Sequence, residues 1–417
     1  MKPNRNYPLL LAGQFLGAFG DNFLLAAILG PLTFRLTEGA VTEQYVNAQN
    51  ALFSGVFFIP FIALAPLAGF LNDRMPKTAW LTGGNLLKLL GIGIGFVGIW
   101  VHGGVFETSR LWQVIGYAVV GIGACMYSPA KYGILPEILP TERLVKANGT
   151  VEMLTLVAIL GGLGGGAVIY DRTRSMTACY LASMGLYAAA LIANSLMSAT
   201  PFNPSATLRR SIAEFGLSLR TLITHPRLKK VLLGCAVFWF AGSALRNNLQ
   251  GWGIEAFQQA GVPNISNEKL ALPKVGLVLG IVAGSMAAGQ LHKVGELGWT
   301  RRYGFLLAAG VLILGLLCGR LGIAAIVPVL IGTGIVAGLL IVPLNAALQH
   351  ESDPSRLGKT VAIQNFTDYL AMLAGAAFLG LCTKIGLNPA NVFVALAATV
   401  AALALAMRIA PETKTHA

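Results

Sequence analysis

The chain has 417 residues, of which 55% are hydrophobic and only 11% charged, with a mean hydropathy of +0.69. A soluble domain carries about 25% charged side chains, so too little polar surface is available here to face water, and a soluble enzyme of this length is excluded. The net charge of +13 would suit a nucleic-acid binder, but no basic face interleaved with aromatics occurs; in a many-span membrane protein the same excess is Lys and Arg held near anionic headgroups.

In chain order, Met1 to Arg5 is followed by an apolar run to about Phe34 with no small-residue cleavage site, which reads as an uncleaved first span. About 20 mostly apolar residues cross the hydrocarbon core as a helix. Segmenting on that length predicts twelve spans, starting near Pro8, Asn47, Thr78, Leu111, Asn148, Thr177, Val231, Pro273, Tyr303, Ile323, Lys359 and Pro389. The longest polar connector, residues 201–230, falls at the midpoint. It separates an N-terminal six-helix half, 1–200, from a C-terminal half, 231–417.

With the N-terminus inside, 20 of the 30 Lys and Arg fall in inner loops and 8 in outer ones, while Lys88 and Arg246 sit within spans. The connector alone supplies Arg209, Arg210, Arg220, Arg227, Lys229 and Lys230. The positive-inside rule therefore puts both termini in the cytoplasm.

Three weak echoes relate the halves. Gly17-Ala-Phe-Gly-Asp21-Asn22-Phe-Leu24 aligns with Gly242-Ser-Ala-Leu-Arg246-Asn247-Asn-Leu249; Gly69-Phe-Leu-Asn-Asp73-Arg74-Met-Pro-Lys77 aligns with a decayed Gly289-Gln-Leu-His-Lys293; and Lys146 opens the fifth span as Lys359 opens the eleventh. Such an all-α, twelve-helix polytopic membrane protein, with six-plus-six pseudo-twofold halves, has the layout of the major facilitator superfamily. Gly69-x-Leu-x-Asp73-Arg74-x-x-Lys77 resembles that superfamily's loop signature. Locally, Gly69 permits close helix approach, and Asp73, Arg74 and Lys77 can make charge-assisted bonds that hold the cytoplasmic gate. Simple positive-inside charge would explain Arg74 and Lys77 alone.

An ionisable residue at mid-membrane costs about 2.5 to 3.5 kcal/mol, so Asp21, Lys88, Glu152, Arg246 and Asp368 each need a reason. The equivalence of Asp21 and Arg246 in the two repeats predicts an ion pair between spans one and seven, either a gate that a ligand or cation competes for or a static structural pair. Gln14, Gly17 and Asp21 share a stripe with Asn22 beside it; Gln364, Asn365 and Asp368 share a face of span eleven. These polar stripes line a water-filled path or glue helices together. Asp21 with Asn22 offers oxygens to a hard cation, without choosing between ions. Gly161, Gly162, Gly164, Gly165 and Gly166 in span five read as close packing or a hinge.

The cysteines, Cys125, Cys179, Cys235, Cys318 and Cys382, lie singly in apolar stretches and read as small hydrophobes. The five histidines have no metal-ligand spacing, no Walker-type loop occurs, and no residues with a catalytic pattern are visible. The expectation is a secondary transporter without cofactor, not an enzyme.

Longer strings narrow this. Gln14-Phe-Leu-Gly-Ala-Phe-Gly-Asp21-Asn22, Asn85-Leu-Leu-Lys88, Tyr127-Ser-Pro-Ala-Lys131-Tyr-Gly-Ile-Leu135, Leu144-Val-Lys-Ala-Asn-Gly149 with Glu152, Leu245-Arg246, Val342-Pro-Leu-Asn-Ala346 and Ala362-Ile-Gln364-Asn365 are similar to the bacterial lysophospholipid transporter family of the superfamily. The resemblance is dense in the first half and thin between about residues 254 and 335, and the Glu351 to Arg356 loop looks idiosyncratic against it. Span five also lacks the prolines of the superfamily's drug-antiporter signature. The resemblance implies inward flipping of lysophosphatidylethanolamine and lysophosphatidylglycerol across a bacterial inner membrane by alternating access, with a cytoplasmic acyltransferase re-acylating them. The acyl chain suits apolar helix faces at about 0.8 kcal/mol per CH₂, and the phosphate suits Lys88, Lys131 or Arg246; Lys131 is otherwise an ordinary positive-inside residue. A coupling ion, Na⁺ or H⁺, stays open, and the protein is expected as a monomer among membrane lipids. The alternatives are an exporter of amphiphilic drugs or small solutes with this fold, and a non-transporting scaffold for the acyltransferase.

Overall fold

The structure, a computed structural model, describes residues 5–202, 207–259, 267–317, 323–353 and 356–409, and among these every regular element is helical. In order they are α1 (Asn6–Thr37), α2 (Glu43–Ala63), α3 (Ala65–Arg74), α4 (Lys77–Val101), α5 (Phe106–Gly133), the short α6 (Leu135–Ile138), α7 (Leu144–Thr173), α8 (Met176–Ser195), α9 (Leu208–Thr224), α10 (Leu228–Gln259), α11 (Asn267–Leu291), α12 (Thr300–Leu317), α13 (Ile323–Glu351), α14 (Leu357–Lys384) and α15 (Pro389–Ala406). Eleven of the described helices are long and apolar enough to cross a membrane, or twelve if the bent pair α2 and α3 forms one span. The predicted span starts fall within a few residues of these helices.

The second span departs from the expected straight rod, bending by 59° between α2 and α3. Pro66 explains the break: it lacks an N–H, and its ring collides with the carbonyl four residues back, so the ladder stops at Leu64. The connector is partly helical. In α9, Phe215 is buried and sets its ring edge-on to Phe366, with centroids 6.1 Å apart.

The chain forms two compact units, interleaved in sequence rather than divided at the connector. One comprises Met1–Leu139, Leu154–Leu217 and Asp353–Phe366; the other comprises Pro140–Met153, Ser218–Ser352 and Thr367–Ala417. Both α7 and α14 thus change unit along their length, each after its first ten residues.

Within the first unit α4 packs on α5 and α8, α1 on α8 and α2 on α5, around a core that includes Leu24, Ile28, Phe53, Ile92, Tyr117, Tyr180 and Tyr187. Within the second unit α11 packs along α13, α12 on α15, and α10 on α13 and α15. The α11–α13 crossing depends on missing side chains: a Cβ at Gly280, Gly284 or Gly334 would strike a carbonyl oxygen of the facing helix. This is small-residue packing of the kind that replaces the hydrophobic effect between helices in lipid. Cys125, Cys179, Cys235 and Cys382 are buried and form no disulfide among the described residues; Cys318 lies outside the described residues.

The internal repeat has a physical counterpart. A Cβ on Gly69 would stand 3.0 Å from the Cα of Lys359, and one on Gly289 would stand 2.9 Å from the Cα of Lys146. Each echoed glycine therefore seats the backbone of an echoed lysine at the start of α14 or α7. In the second unit Gly149, one turn along α7, also meets the carbonyl of Ser285.

Candidate functional site

The first unit holds a buried polar cluster on α1, α4 and α8. Asp21 is 8% exposed and Lys88 2%. The Lys88 Nζ donates to Asp21 Oδ2 at 2.7 Å, and the Tyr187 hydroxyl donates to Oδ1 at 2.7 Å. The Tyr117 hydroxyl reaches the Asp21 main-chain carbonyl at 3.3 Å. The ammonium also lies 5.4 Å and 5.6 Å from the ring centroids of Tyr127 and Tyr187, within cation–π range. One turn away, Asn85 Nδ2 and the Tyr127 hydroxyl both donate to Asn194 Oδ1, at 2.8 Å and 3.3 Å. Burial of either charge alone would be costly; placing opposite charges in contact, with a phenol on the second oxygen, satisfies both.

Asp21 thus takes a countercharge from Lys88 within its own unit, a partner to which the repeat pattern did not point. Both Asp21 oxygens already hold donors, and Asn22 Nδ2 donates back to the Ala18 carbonyl at 2.9 Å. Among the described residues no group of three metal-type ligands occurs. Gln14, on the same stripe, accepts from the Thr155 hydroxyl at 3.1 Å and is buried, so that amide serves as helix glue.

The loop signature is assembled around helix ends. Asp73 Oδ1 accepts from the Gly358 main-chain N–H at 2.9 Å, which caps the first turn of α14. Gly69 seats Lys359 beside it. Lys77 is buried and pairs with Glu137, while its own N–H donates to Thr200 Oγ1 at 3.2 Å. Arg74 is exposed. Asn365, one of the span-eleven amides, donates from Nδ2 to Ser128 Oγ at 2.9 Å. Gln364 and Asp368 are buried on the same helix. Lys131 is half-buried in the last turn of α5, 4.4 Å from the Tyr132 ring centroid, and Glu152 is buried on α7.

In the second unit Arg246 is exposed on α10. Lys274 lies within charge–charge range of it. Lys274 belongs to α11. Other polar contacts also escaped the sequence. Asn148 and Gln349 exchange two amide hydrogen bonds, 2.9 Å and 2.8 Å, while buried. Arg227 forks onto both oxygens of Glu351 at 2.8 Å and donates to the Gly295 carbonyl at 3.0 Å, so the loop start that looked idiosyncratic is an anchor. Nearby, His292 Nε2 and the Tyr303 hydroxyl are 2.8 Å apart, and burial pushes the imidazole below its ordinary range against the opposing pull of Glu296. A cavity of about 410 Å³ near the far end of α10, lined by Asn247, Asn248, Thr383 and Asn388 among others, offers only neutral polar groups.

The sequence profile of the Major Facilitator Superfamily matches residues 10–376. The chain is 32% identical over 391 residues to a protein of Photorhabdus laumondii named lysophospholipid transporter LplT, covering 92% of this chain and 89% of that one. It is 34% identical over 403 residues to one of the same name from an Enterobacter species, covering 94% and 92%. Among solved structures it is similar to the human organic anion transporter MFSD10 (TETRAN), at a TM-score of 0.79 and 15% identity over 98% of this chain and all of that one. It is also similar to the Escherichia coli fucose:proton symporter FucP, at a TM-score of 0.72 and 15% identity over 98% of both chains. These two likenesses show the fold.

Proposed function

The chain belongs to the major facilitator superfamily, and from that premise we propose that it is a lysophospholipid transporter of the bacterial inner membrane, moving lysophosphatidylethanolamine and lysophosphatidylglycerol to the cytoplasmic leaflet. The observation that carries this reading is identity of 32–34% with proteins named lysophospholipid transporter across more than nine-tenths of the chain. It is a multi-pass transporter, not an enzyme.

The geometry supports such a substrate in three ways. The Asp21 and Lys88 charges cancel each other inside the first unit. Apolar helix faces accept the single acyl chain, and cations at different depths, Lys131 and Arg246, accept a phosphate. The gate residues Gly69, Asp73, Arg74 and Lys77 and the polar face of Gln364, Asn365 and Asp368 act during alternating access, with Glu152 among them. Both termini lie in the cytoplasm, where a lysolipid acyltransferase receives the product, and one chain suffices for transport.

The test uses purified protein in liposomes with a fluorescent lysophosphatidylethanolamine, its leaflet followed by albumin extraction. Protein-dependent exchange between leaflets is the expected result. Rates equal to those of empty liposomes would refute the reading, and export of amphiphilic drugs with no lysolipid movement would replace it.

A further inference from the structure

Three glycines on one side of α1, Gly13, Gly17 and Gly20, do not share one reason for being there. A Cβ at Gly13 would stand 2.4 Å from Asn194 Nδ2, and one at Gly20 2.8 Å from the Tyr187 ring, so packing alone disfavours a side chain at both. A Cβ at Gly17 would meet Asn85 Oδ1 at 3.4 Å and Lys88 Nζ at 3.6 Å, which are ordinary contact distances. Among the described residues no third atom from outside α1 comes within 4 Å of it.

The two atoms bordering this gap are complementary. Asn85 is fully buried; its Nδ2 donates to Asn194 Oδ1 at 2.8 Å, and among the described residues its Oδ1 has no donor. Lys88, 2% exposed, carries three hydrogens and places one on Asp21 Oδ2 at 2.7 Å. Turning the Asn85 amide over gives no relief. It would set Oδ1 against Asn194 Oδ1, which already accepts from Tyr127, and Nδ2 against the ammonium. A buried acceptor without a donor forfeits its hydrogen bonds to water without replacement. The guest that suits this gap donates to an amide oxygen and accepts from an ammonium. A cation is repelled by Lys88 and an anion by Asn85 Oδ1, and burial of both groups restricts the guest to a single oxygen.

We propose that Asn85 Oδ1, Lys88 Nζ and the open side of Gly17 form a seat for one structural water inside the first unit. Its two partners meet the minimum that a buried water needs. It joins the Asp21–Lys88–Tyr187 group to the Asn85–Asn194–Tyr127 group in one hydrogen-bonded chain across α1, α4, α5 and α8. Gly17 is then a glycine kept for an oxygen rather than for a close backbone, and the seat stands independently of what the protein carries.

Thermal unfolding of the full-length protein in detergent micelles tests this, because hydration and plain packing rank two small substitutions in opposite order. Gly17→Ala adds a methyl group at ordinary contact distances and raises helix propensity, so packing alone makes it neutral or stabilising. Loss of the water strands Asn85 Oδ1 instead, and Gly17→Ala is expected to lower the midpoint by about 3–6 °C. Gly17→Ser carries its own hydroxyl toward the same two atoms, as donor to one and acceptor from the other. It is expected to return to within about 2 °C of the wild type. A Gly17→Ala midpoint at or above the wild type, or a Ser variant no more stable than the Ala variant, overturns the seat. If neither variant purifies as a monodisperse protein, a high-resolution map of the wild type decides. One oxygen within about 3.2 Å of both Asn85 Oδ1 and Lys88 Nζ is the expected result, and a map with no ordered oxygen between them overturns the proposal.

Discussion

Removing one member of the Asp21–Lys88 pair strands the other in the membrane interior. Screened by an effective dielectric near 20, opposite charges at 2.7 Å attract with about 6 kcal/mol. Desolvation offsets most of this, so the pair as a whole contributes little over a well-packed apolar one, whereas breaking it costs about 3–5 kcal/mol. The Asp21→Asn variant leaves Lys88 with two tyrosine faces worth about 1 kcal/mol each, so a net loss of about 3 kcal/mol is expected. Lys88→Met leaves Asp21 the Tyr187 hydrogen bond, which offsets part of the loss, so about 2 kcal/mol is expected. The double variant removes both charges, keeps an acceptor for Tyr187, and should return to within about 1 kcal/mol of the wild type. Equilibrium unfolding in mixed detergent micelles measures the cycle. Single variants within 1 kcal/mol of the wild type, or a double variant that equals the sum of the singles, would refute the buried-pair account.

Three further outcomes follow from contacts in the two units. Adding a side chain at Gly289 drives a Cβ to 2.9 Å from the Lys146 backbone, so Gly289→Val should cost about 1–3 kcal/mol and slow flipping, read by thermal unfolding and the liposome assay, while Gly242→Ala, with open space around it, should be silent. Arg227→Gln leaves Glu351, whose side chain is 10% exposed, without its fork and should lower stability by about 3 kcal/mol; Arg227→Lys should recover only part of that, because one ammonium does not replace a two-oxygen contact. His292 is held below its ordinary value near 6.5 in the folded protein. The unfolded chain therefore takes up the proton first, and stability is complete above about pH 6.5 and falls as pH drops below it. Unfolding midpoints at pH 7.5 and 5.5 should differ less in His292→Gln than in the wild type.

Span count, span starts and the repeat were legible because each is written in long runs of hydropathy or in residue spacing. The 59° bend was not, since Pro60 and Pro66 both sit in an apolar run and only the ladder around Leu64 shows which one breaks it. The five intramembrane charges were legible one by one, but their pairing was not. The pseudo-symmetry of Asp21 and Arg246 is a statement about position along equivalent helices, while the contact with Lys88 depends on helix rotation and on Tyr187, a residue that looks like any other apolar-span tyrosine. Lys274 was hidden by its neighbour Pro273, which reads as a helix start although α11 begins at Asn267. The amide exchange of Asn148 with Gln349 joins residues 201 apart, a separation that no local pattern carries.

The glycine seats at positions 69 and 289 also explain how one copy of the loop signature could erode. What meets there is main chain against the space of a missing side chain. Shape is inherited at such a crossing, and chemistry is free to drift. The second copy has exchanged Asn72, Asp73 and Arg74 for His292, Lys293 and Val294 while keeping its grip on the helix it touches. Ancestry in this chain is thus recorded more durably in where atoms are absent than in which ones are present.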